Sequence, residues 1–382
     1  MTQNIDIIDS FDDMGLSDDL LRGIYSIGFE NPSAIQQRAI VPLINGLDII
    51  AQSQSGTGKT GTFSIGSLQV IDPDIKQPQV LILSPTRELA QQTYNVAKQL
   101  NKYLNYSIMT LIGGKNINHD FKQLDNGCQI IIGCPGRVFD MLKRFALKTD
   151  NLKLMIVDEA DEMLSRGFKD QIYEILQYIP DQCKVGLFSA TMPEEVLAIT
   201  NKIMKDPLRI LIKKEELTLE GIKQFYVYVN NEFIKYDVLC DIYSNLATSQ
   251  TIIYCNSKRK SIWLNDKLTK EGFAVSLIYG DMHQSDRESI IKNFRNGSTR
   301  ILISTDILAR GIDIQQVSLV INYDVPKYRE TYIHRIGRSG RYGRKGLAIN
   351  FVNNDELSLM RDIESFYNTM LEELPKNFNE LL

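Results

Sequence analysis

The sequence predicts two consecutive doubly wound α/β domains joined by a short linker. Three observations support this fold class. Short apolar runs alternate with amphipathic stretches, the alternation stops in a charged segment at residues 213–221, and it then starts again. Nearly all-apolar runs are typical of strands buried on both faces of a parallel sheet. The 382 residues also suffice for two domains of ordinary size.

The predicted strands of each domain are identified by their apolar composition. In the first domain they span residues 48–51, 80–84, 130–133, 154–158, 185–189 and 208–212. In the second they span residues 251–256, 275–279, 300–306, 319–323 and 347–352. Amphipathic segments such as 88–104 and 169–178 predict intervening helices. The predicted boundaries are 1–37 for an N-terminal arm, 38–212 for the first domain, 213–221 for the linker and 222–382 for the second domain.

Composition argues against several other classes of protein. The chain is 43% hydrophobic and 24% charged, which is typical of globular domains, and its net charge is −4. This charge argues against a protein that coats nucleic acid by bulk attraction, so any nucleic-acid site must be a local basic groove. Five cysteines without a CxxC pair predict reduced thiols, and three scattered histidines predict no zinc site. No membrane span is predicted, because no apolar run approaches the length needed, and no secretory signal is predicted, because the first basic residue is Arg22.

A glycine-rich stretch, Gln54-Ser55-Gly56-Thr57-Gly58-Lys59-Thr60, follows the first apolar run and precedes a stretch that can form a helix. Strand, glycine-rich loop, Lys-Thr and helix is the arrangement of a P-loop, whose backbone N–H groups surround a phosphate chain. Lys59 would then reach the β- and γ-phosphates of a nucleotide, and the Thr60 hydroxyl would hold Mg²⁺. The alternative is a glycine-rich turn without a ligand.

Two further stretches end predicted strands of the first domain with polar side chains. Asp158 and Glu159 follow the run at 154–157, where Asp158 can hold Mg²⁺ and Glu159 can orient and deprotonate an attacking water. The alternative is an acidic helix N-terminus stabilised by the helix dipole. Ser189 and Thr191 end the next strand, either as helix caps or as a hydrogen-bonded bridge to the carboxylates.

The richest cationic stretch lies in the second domain, which has no P-loop. Seven lysines and arginines fall between residues 327 and 345, and Arg335, Arg338 and Arg341 recur at intervals of three. Arginines at this spacing share a face of a helix or turn, and a guanidinium fork suits a phosphoryl transition state. Arg338 and Arg341 are therefore candidate arginine fingers. The alternative is a solvated basic patch.

These blocks, in this order, resemble a DEAD-box RNA helicase of superfamily two over essentially the whole chain. The motif Asp158-Glu159-Ala160-Asp161 carries the resemblance most visibly. The other matching blocks are residues 28–36, 54–60, 85–90, 113–114, 135–137, 189–191, 304–306, 309–313 and 334–341. Residues 217–225 and 340–346 are most similar to the translation initiation factor branch of the family, including its exon junction complex paralogue. The resemblance implies two RecA-like domains, with the adenine-recognition motif inside 1–37.

The resemblance also implies how ATP and Mg²⁺ are bound. Gln36 would recognise the adenine edge, Phe29 would stack on the base, and Phe11 would help to close the pocket. The phosphates would contact Ser55, Gly56, Thr57, Gly58, Lys59 and Thr60. Asp313 would face the ribose and phosphates, and Thr60 and Asp158 would hold Mg²⁺. An ordinary core aromatic is the alternative for Phe29.

RNA would bind through its sugar-phosphate backbone, so the resemblance implies binding largely independent of sequence. The implied contacts in the first domain are Pro85, Thr86, Arg87, Gly114, Gly136 and Arg137. Those in the second are Arg287, Thr305 and Asp306. Ser189, Thr191 and His334 would couple the ATP and RNA sites. Cys134 departs from the usual Thr of the family, and a thiol donates more weakly to a phosphate than a hydroxyl does.

The implied activity is an RNA helicase whose RNA-stimulated ATP hydrolysis unwinds short duplexes locally, in translation initiation. The alternative is an ATP-gated RNA clamp at the core of an RNA–protein assembly, and a third candidate is a DNA-directed or nucleotide-only ATPase. The implied partners are single-stranded and short duplex RNA and a scaffold protein of helical repeats. We expect a monomer without membrane contact, acting in the cytoplasm because the sequence shows no basic import run, with the nucleus as the alternative.

Overall fold

The chain divides into two compact units, residues 1–212 and residues 213–382, which are described separately below. A computed structural model describes residues 6–53, 56–164, 168–204, 206–210, 222–245, 250–308, 317–339, 346–367 and 369–375. The predicted linker at 213–221 lies outside these residues. No helix in the described part of the chain has the length and apolar composition needed to cross a membrane.

The first unit contains a parallel sheet with helices on both faces. Its seven described strands are β1 (Ile49–Gln52), β2 (Val80–Leu83), β3 (Ile108–Leu111), β4 (Ile130–Gly133), β5 (Leu154–Asp158), β6 (Lys184–Ser189) and β7 (Leu208–Ile210). The spatial order is β3-β4-β2-β5-β6-β1-β7. The helices are α1 (Asp18–Ser26), α2 (Ala34–Ile44), α3 (Lys59–Gln69), α4 (Arg87–Leu100), α5 (Ile117–Asp125), α6 (Pro135–Lys143), α7 (Ala160–Met163), α8 (Lys169–Leu176) and α9 (Glu194–Ile203), with a 3-10 helix at Phe11–Met14.

Burial on both faces explains the apolar runs in the sequence. Along β2, Val80 and Ile82 pack into one hydrophobic core, whereas Leu81 and Leu83 pack into a second core on the opposite face. Side chains alternate between the faces of a strand, so a strand covered on both sides needs apolar residues at every position. The predicted doubly wound architecture is confirmed.

The strand β3 was missed by sequence analysis because it lies at the edge of the sheet. Met109 and Leu111 are buried, but the alternate residues Ile108 and Thr110 are only partly buried. The run is therefore short and mixed. The helix predicted at 88–104 is also too long, because α4 ends at Leu100. Asn101 then closes a turn by donating to the Tyr106 carbonyl at 2.8 Å and accepting from the Tyr106 N–H at 3.0 Å.

The second unit repeats this architecture. Its described strands are β8 (Ile222–Tyr228), β9 (Thr251–Tyr254), β10 (Val275–Ile278), β11 (Ile301–Ser304), β12 (Leu319–Asn322), β13 (Gly346–Val352) and β14 (Glu372–Glu373), in the spatial order β10-β11-β9-β12-β13-β8-β14. The helices are α10 (Glu232–Asn245), α11 (Lys258–Lys270), α12 (Gln284–Arg295), α13 (Arg329–Ile336) and α14 (Leu357–Tyr367), with 3-10 helices at Asp306–Leu308 and Asn354–Glu356. The strands β8 and β14 were not predicted, since neither is uniformly apolar.

Residues before 38 contribute directly to the first hydrophobic core. Phe11, Leu20 and Ile24 are fully buried there. The helix α1 approaches α4 closely at Gly23, where a β-carbon would lie 2.2 Å from the Leu100 carbonyl oxygen. Only glycine permits this contact.

We expect Gly23→Val to destabilise the protein by about 1–3 kcal/mol, because an obstructing backbone atom cannot move aside as a side chain can. The measurement is the free energy of unfolding in urea. Arg22→Ala in the same helix serves as the control, since the Arg22 side chain is 64% exposed, and it should cost less than about 1 kcal/mol. Equal stability of Gly23→Val and wild type would contradict the close packing of α1 on α4.

Candidate functional site

The predicted site residues of the first unit follow the carboxyl-terminal ends of its strands. The strand order places them in two neighbouring groups along that side of the sheet. The adjacent strands β5, β6 and β1 lead into Asp158–Glu159, Ser189–Thr191 and the P-loop. The adjacent strands β3, β4 and β2 lead into the loops that contain the predicted RNA contacts. Parallel strands end at the same edge, which is where ligands bind in such sheets.

The described part of the loop before α3 includes two glycines whose backbone conformation suits a phosphate-binding turn. Gly56 and Gly58 have φ values of 85° and 104°, a region that favours glycine. Lys59 is buried, and its Nζ donates to the Ser53 carbonyl at 2.7 Å. Because α3 begins at Lys59, the N–H groups of its first turn and this ammonium lie at the same end of the helix. A helix N-terminus with an adjacent ammonium binds anions. Ser55, another predicted phosphate contact, lies outside the described residues.

Gln36 and Phe29, the predicted adenine contacts, lie directly beside this loop. Gln36 is buried in the first turn of α2, and its Oε1 accepts from the Ser33 N–H at 2.7 Å. A β-carbon at Gly61 would lie 2.8 Å from Gln36 Nε2 and 3.0 Å from the Phe29 ring. The Gln36 amide and the Phe29 ring therefore pack against the first turn of α3. Their roles toward adenine remain predictions.

Phe11 is fully buried in the first hydrophobic core, so the structure gives it a packing role. Its ring contacts Tyr25 edge to face, with the centroids 6.4 Å apart. Contact with a nucleotide remains a prediction for this residue.

Asp158 and Glu159 form a buried pair of carboxylates at the end of β5. Burial, above all, and the neighbouring Glu159 carboxylate raise the pKa of Asp158 to about 8, whereas the Lys59 ammonium lowers it. Glu159 adopts a left-handed backbone conformation with φ 50°, which is strained for a non-glycine residue. Its Oε2 is buried and has no hydrogen-bond partner among the described residues.

The alternative of an ordinary acidic helix N-terminus therefore fits poorly. The helix α7 that follows has only four residues, and both carboxylates are almost completely buried. Surface carboxylates at a helix N-terminus are normally solvated. The strain and burial at Glu159 are typical of a functional site.

These residues fit the binding of Mg²⁺. Hard cations prefer oxygen ligands, and Thr60 and Asp158 offer a hydroxyl and a carboxylate. Burial and, second to it, the Glu159 carboxylate raise the pKa of Asp158, and a bound divalent cation would favour its charged form. The unpartnered Oε2 of Glu159 leaves an acceptor for water. The assignment of Thr60 and Asp158 as ligands remains a prediction.

The predicted bridge from Ser189 and Thr191 to the carboxylates is present, and its acceptor is Asp161. Ser189 Oγ donates to Asp161 Oδ1 at 2.6 Å, and Thr191 Oγ1 donates to Asp161 Oδ2 at 2.5 Å. Asp161 was not among the predicted site residues. The signal that could have identified it is its position in the motif at 158–161, two residues after Glu159.

We expect Ser189→Ala/Thr191→Ala to destabilise the protein by about 2–5 kcal/mol, because it leaves the buried Asp161 carboxylate without two charge-assisted hydrogen bonds. The measurement is the free energy of unfolding. Adding Asp161→Ala should recover part of the loss, since both partners are then removed. A triple variant that is less stable than the double variant would contradict the bridge as described.

The predicted RNA contacts of the first unit surround the ends of β2, β3 and β4. The Thr86 hydroxyl caps α4 by accepting from the Leu89 N–H at 3.2 Å. The Arg87 guanidinium lies against the next loop, because a β-carbon at Gly113 would be 3.0 Å from Arg87 Nη2. Gly114 has φ 83° and is exposed. Pro85, two residues after the end of β2, is buried.

The third of these loops begins α6. Gly136 is exposed, with open space where a side chain would be. Arg137 forms an ion pair with the buried Asp120, and its Nη2 donates to the Lys115 carbonyl at 3.1 Å. Cys134 precedes the helix without a capping hydrogen bond from its side chain. Arg137 therefore holds part of the first unit together, in addition to the RNA contact that is predicted for it.

Two arginines of the basic stretch in the second unit, Arg335 and Arg338, are buried, so the alternative of a solvated patch is wrong for these two. Arg335 and Arg338 are 0% and 2% exposed. Arg338 Nε donates to the His334 carbonyl at 3.2 Å, one turn back on α13. Arg341 and Asp313 lie outside the described residues. Arg287, the predicted contact on α12, is also buried.

Thr305 and Asp306 follow β11, and Asp306 is exposed. Its Oδ1 accepts from Arg335 Nε at 2.6 Å. Sequence analysis gave Arg335 no role of its own. It was treated only as a member of the series of arginines at 335, 338 and 341, which contains the candidate fingers. In the structure, the Arg335 side chain is buried inside the second unit, where it donates hydrogen bonds to polar groups of that unit.

The fold and the site together define a P-loop protein with two RecA-like domains. Comparison with known families agrees, since residues 33–199 match the DEAD/DEAH box helicase family and residues 234–343 match the helicase conserved C-terminal domain. The ATP-dependent RNA helicase eIF4A of Mycosarcoma maydis is 59% identical over 376 residues, covering 98% of this chain and 92% of that protein. The eIF4A of Pyricularia oryzae is 58% identical over 375 residues, covering 98% and 95%. The chain belongs to the DEAD/DEAH box helicase family.

Solved structures of family members share the fold. Dbp5 of S. cerevisiae bound to RNA and ADP BeF3 is 36% identical with a TM-score of 0.91, covering 98% of each chain. Mss116p bound to ssRNA and AMP-PNP is 27% identical with a TM-score of 0.86, covering 95% of this chain and 78% of that chain.

Proposed function

We propose that this protein is an ATP-dependent RNA helicase in which RNA-stimulated ATP hydrolysis drives local unwinding of short duplexes. The observation that carries the proposal is the order of strands in the first unit. It gathers the P-loop, the buried carboxylates and the Ser189–Thr191 bridge on one half of the sheet edge, beside the loops with the predicted RNA contacts. The eIF4A relatives and the RNA-bound Dbp5 and Mss116p support the same function.

In the first unit, we assign ATP to the loop before α3. Gln36 and Phe29 would hold the adenine, and the N–H groups of the loop and Lys59 would hold the phosphates. Bound Mg²⁺, held by Thr60 and Asp158, would neutralise charge that develops on the phosphates. Glu159 would accept a proton from the attacking water through its buried Oε2.

In the second unit, we assign Arg338 and Arg341 as arginine fingers for that nucleotide. An arginine finger contributes about 10³–10⁵ to the rate in related reactions, so hydrolysis should be slow until RNA binding brings the fingers to ATP. Ser189, Thr191 and His334 would link the two events. Asp161 joins this group, since it accepts hydrogen bonds from both hydroxyls.

The biological setting is proposed from the eIF4A relatives. We place the protein in translation initiation, in the cytoplasm, as a monomer that works with a helical-repeat scaffold. Depletion of the protein from a translation extract should reduce the translation of messages with structured leaders most strongly. Full translation of those messages after depletion would contradict this setting without affecting the enzymatic proposal.

The unwinding proposal is tested with a short RNA duplex in which one strand carries a fluorophore. ATP and Mg²⁺ should release that strand, and a duplex of DNA should stay intact. A protein that holds RNA durably with an ATP analogue but releases no strand would contradict unwinding and support the ATP-gated clamp.

A further inference from the structure

The helix α5 follows one of the predicted RNA loops, and the side chain that it buries most deeply is a carboxylate. Asp120 is 1% exposed, and no other residue of α5 is buried. Ile117, Phe121 and Leu124 already pack against the second hydrophobic core from partly buried positions. The helix therefore has apolar anchors, whereas burying a carboxylate costs free energy unless it is paired. This indicates a purpose for Asp120 other than attachment of the helix.

The partner of Asp120 is Arg137, which lies on the next helix, α6. Their ion pair is almost completely removed from solvent, since the side chains of Asp120 and Arg137 are 2% and 14% exposed. A second nitrogen of the same guanidinium, Nη2, donates to the Lys115 carbonyl at 3.1 Å. Desolvation offsets much of the attraction within a buried ion pair, so the pair adds little stability in itself. What it adds is direction, because a carboxylate holds a guanidinium in one orientation.

Arg137 thereby joins two loops whose exposed glycines are predicted RNA contacts. Lys115 directly follows Gly114, in the loop between β3 and α5. Gly136 directly precedes Arg137, in the first turn of α6. Because Arg137 is bound both to the Lys115 carbonyl and to Asp120, the two glycines are held at a fixed separation. Loops that are already ordered lose less conformational entropy when they bind a ligand.

We propose that Asp120 is a positioning residue for RNA binding in the first unit: it orients Arg137, which in turn holds the Gly114 loop and the Gly136 turn in the arrangement that RNA requires. Asp120 itself contacts no nucleic acid in this scheme. The inference rests on the proposed RNA-dependent function, and it concerns a residue that sequence analysis did not single out. Asp120 is an anion close to a surface that binds an anion, and this gives the inference a sharp test.

Asp120→Asn separates positioning from simple electrostatics by the sign of its effect. Removing a negative charge near a phosphate backbone should tighten RNA binding if charge alone matters. Positioning predicts the opposite, since the neutral amide holds the guanidinium less firmly. We expect Asp120→Asn to raise the concentration of single-stranded RNA needed for half-maximal ATPase stimulation by roughly 10-fold, as for loss of a charge-assisted hydrogen bond. The KM for ATP and the turnover rate at saturating RNA should stay close to the wild-type values.

Asp125→Asn is the matched control, because it makes the same chemical change on the same helix at an exposed position. It should bind RNA as well as wild type or slightly better. Asp120→Glu, which keeps the carboxylate, should recover part of the affinity lost in Asp120→Asn. Arg137→Lys should weaken RNA binding by a similar factor, since an ammonium lacks the planar fork for both partners. The double variant Asp120→Asn/Arg137→Lys should lose little more than either single variant, because the two residues act through one contact.

The outcomes distinguish this inference from the function on which it rests. A wild-type protein that RNA fails to stimulate would overturn the RNA-dependent function and this inference with it. RNA stimulation of wild type that Asp120→Asn retains at the same or a lower RNA concentration would overturn the inference alone. An Asp120→Asn variant whose affinity for ATP falls as much as its affinity for RNA would show a general structural role and overturn the positioning role. Equal losses of RNA affinity in Asp125→Asn and Asp120→Asn would do the same.

Discussion

We expect Glu159→Gln to lower the rate of ATP hydrolysis by about 10²–10⁴-fold, the usual contribution of a general base. The amide keeps the size of the side chain but cannot accept the proton of the attacking water. ATP binding should remain, because Glu159 is not among the proposed phosphate contacts. The measurement is single-turnover hydrolysis at saturating RNA, with nucleotide affinity measured separately by a fluorescent ATP analogue.

Glu162→Gln is the matched control for this variant. It changes a carboxylate of the same short helix, α7, three residues beyond Glu159. Its rate should stay within a fewfold of wild type. Hydrolysis by Glu159→Gln at the wild-type rate would contradict the assignment of Glu159 as the base.

We also expect Lys59→Ala to weaken ATP binding by at least roughly 100-fold. It removes a buried ammonium from the start of α3 and therefore one charge-assisted hydrogen bond to the phosphates. It also removes the cation that lowers the pKa of Asp158, so this pKa should rise. More Asp158 would then be protonated near neutral pH, and Mg²⁺ should bind more weakly as well.

The two effects of Lys59→Ala are separated by pH. Raising the pH restores the Asp158 carboxylate but cannot restore the ammonium, so Mg²⁺ binding should recover more than ATP binding. Lys153→Ala, at a solvent-exposed lysine beside β5, is the control and should bind ATP normally. Unchanged ATP affinity in Lys59→Ala would contradict the phosphate role of this loop.

Much of the fold follows from the sequence, because strands buried on both faces require runs of apolar residues. The runs at β2, β4 and β5 were identified for this reason. The edge strand β3 and the half-exposed β8 were not, since burial on fewer sides imposes no such run. Strand order also could not be predicted from composition, although it decides which loops become neighbours at the sheet edge.

The candidate site was predictable where chemistry dictates residue type at short spacing, as in the P-loop. It was less predictable where function depends on partners distant in sequence. Asp161 accepts hydrogen bonds from hydroxyls 28 and 30 residues away. Arg335 and Arg338 are both arginines of the series that recurs every three residues. Arg335, however, contacts Asn256, which is 79 residues away in the sequence. Only the tertiary fold distinguishes these two arginines.

The central claim is that RNA controls ATP hydrolysis in this protein. The most direct measurement is steady-state ATP turnover without nucleic acid, with single-stranded RNA and with single-stranded DNA of the same sequence. We predict slow turnover alone, strong stimulation by RNA and little stimulation by DNA. Equal turnover under all three conditions, in protein that binds ATP and is fully folded, would contradict the claim.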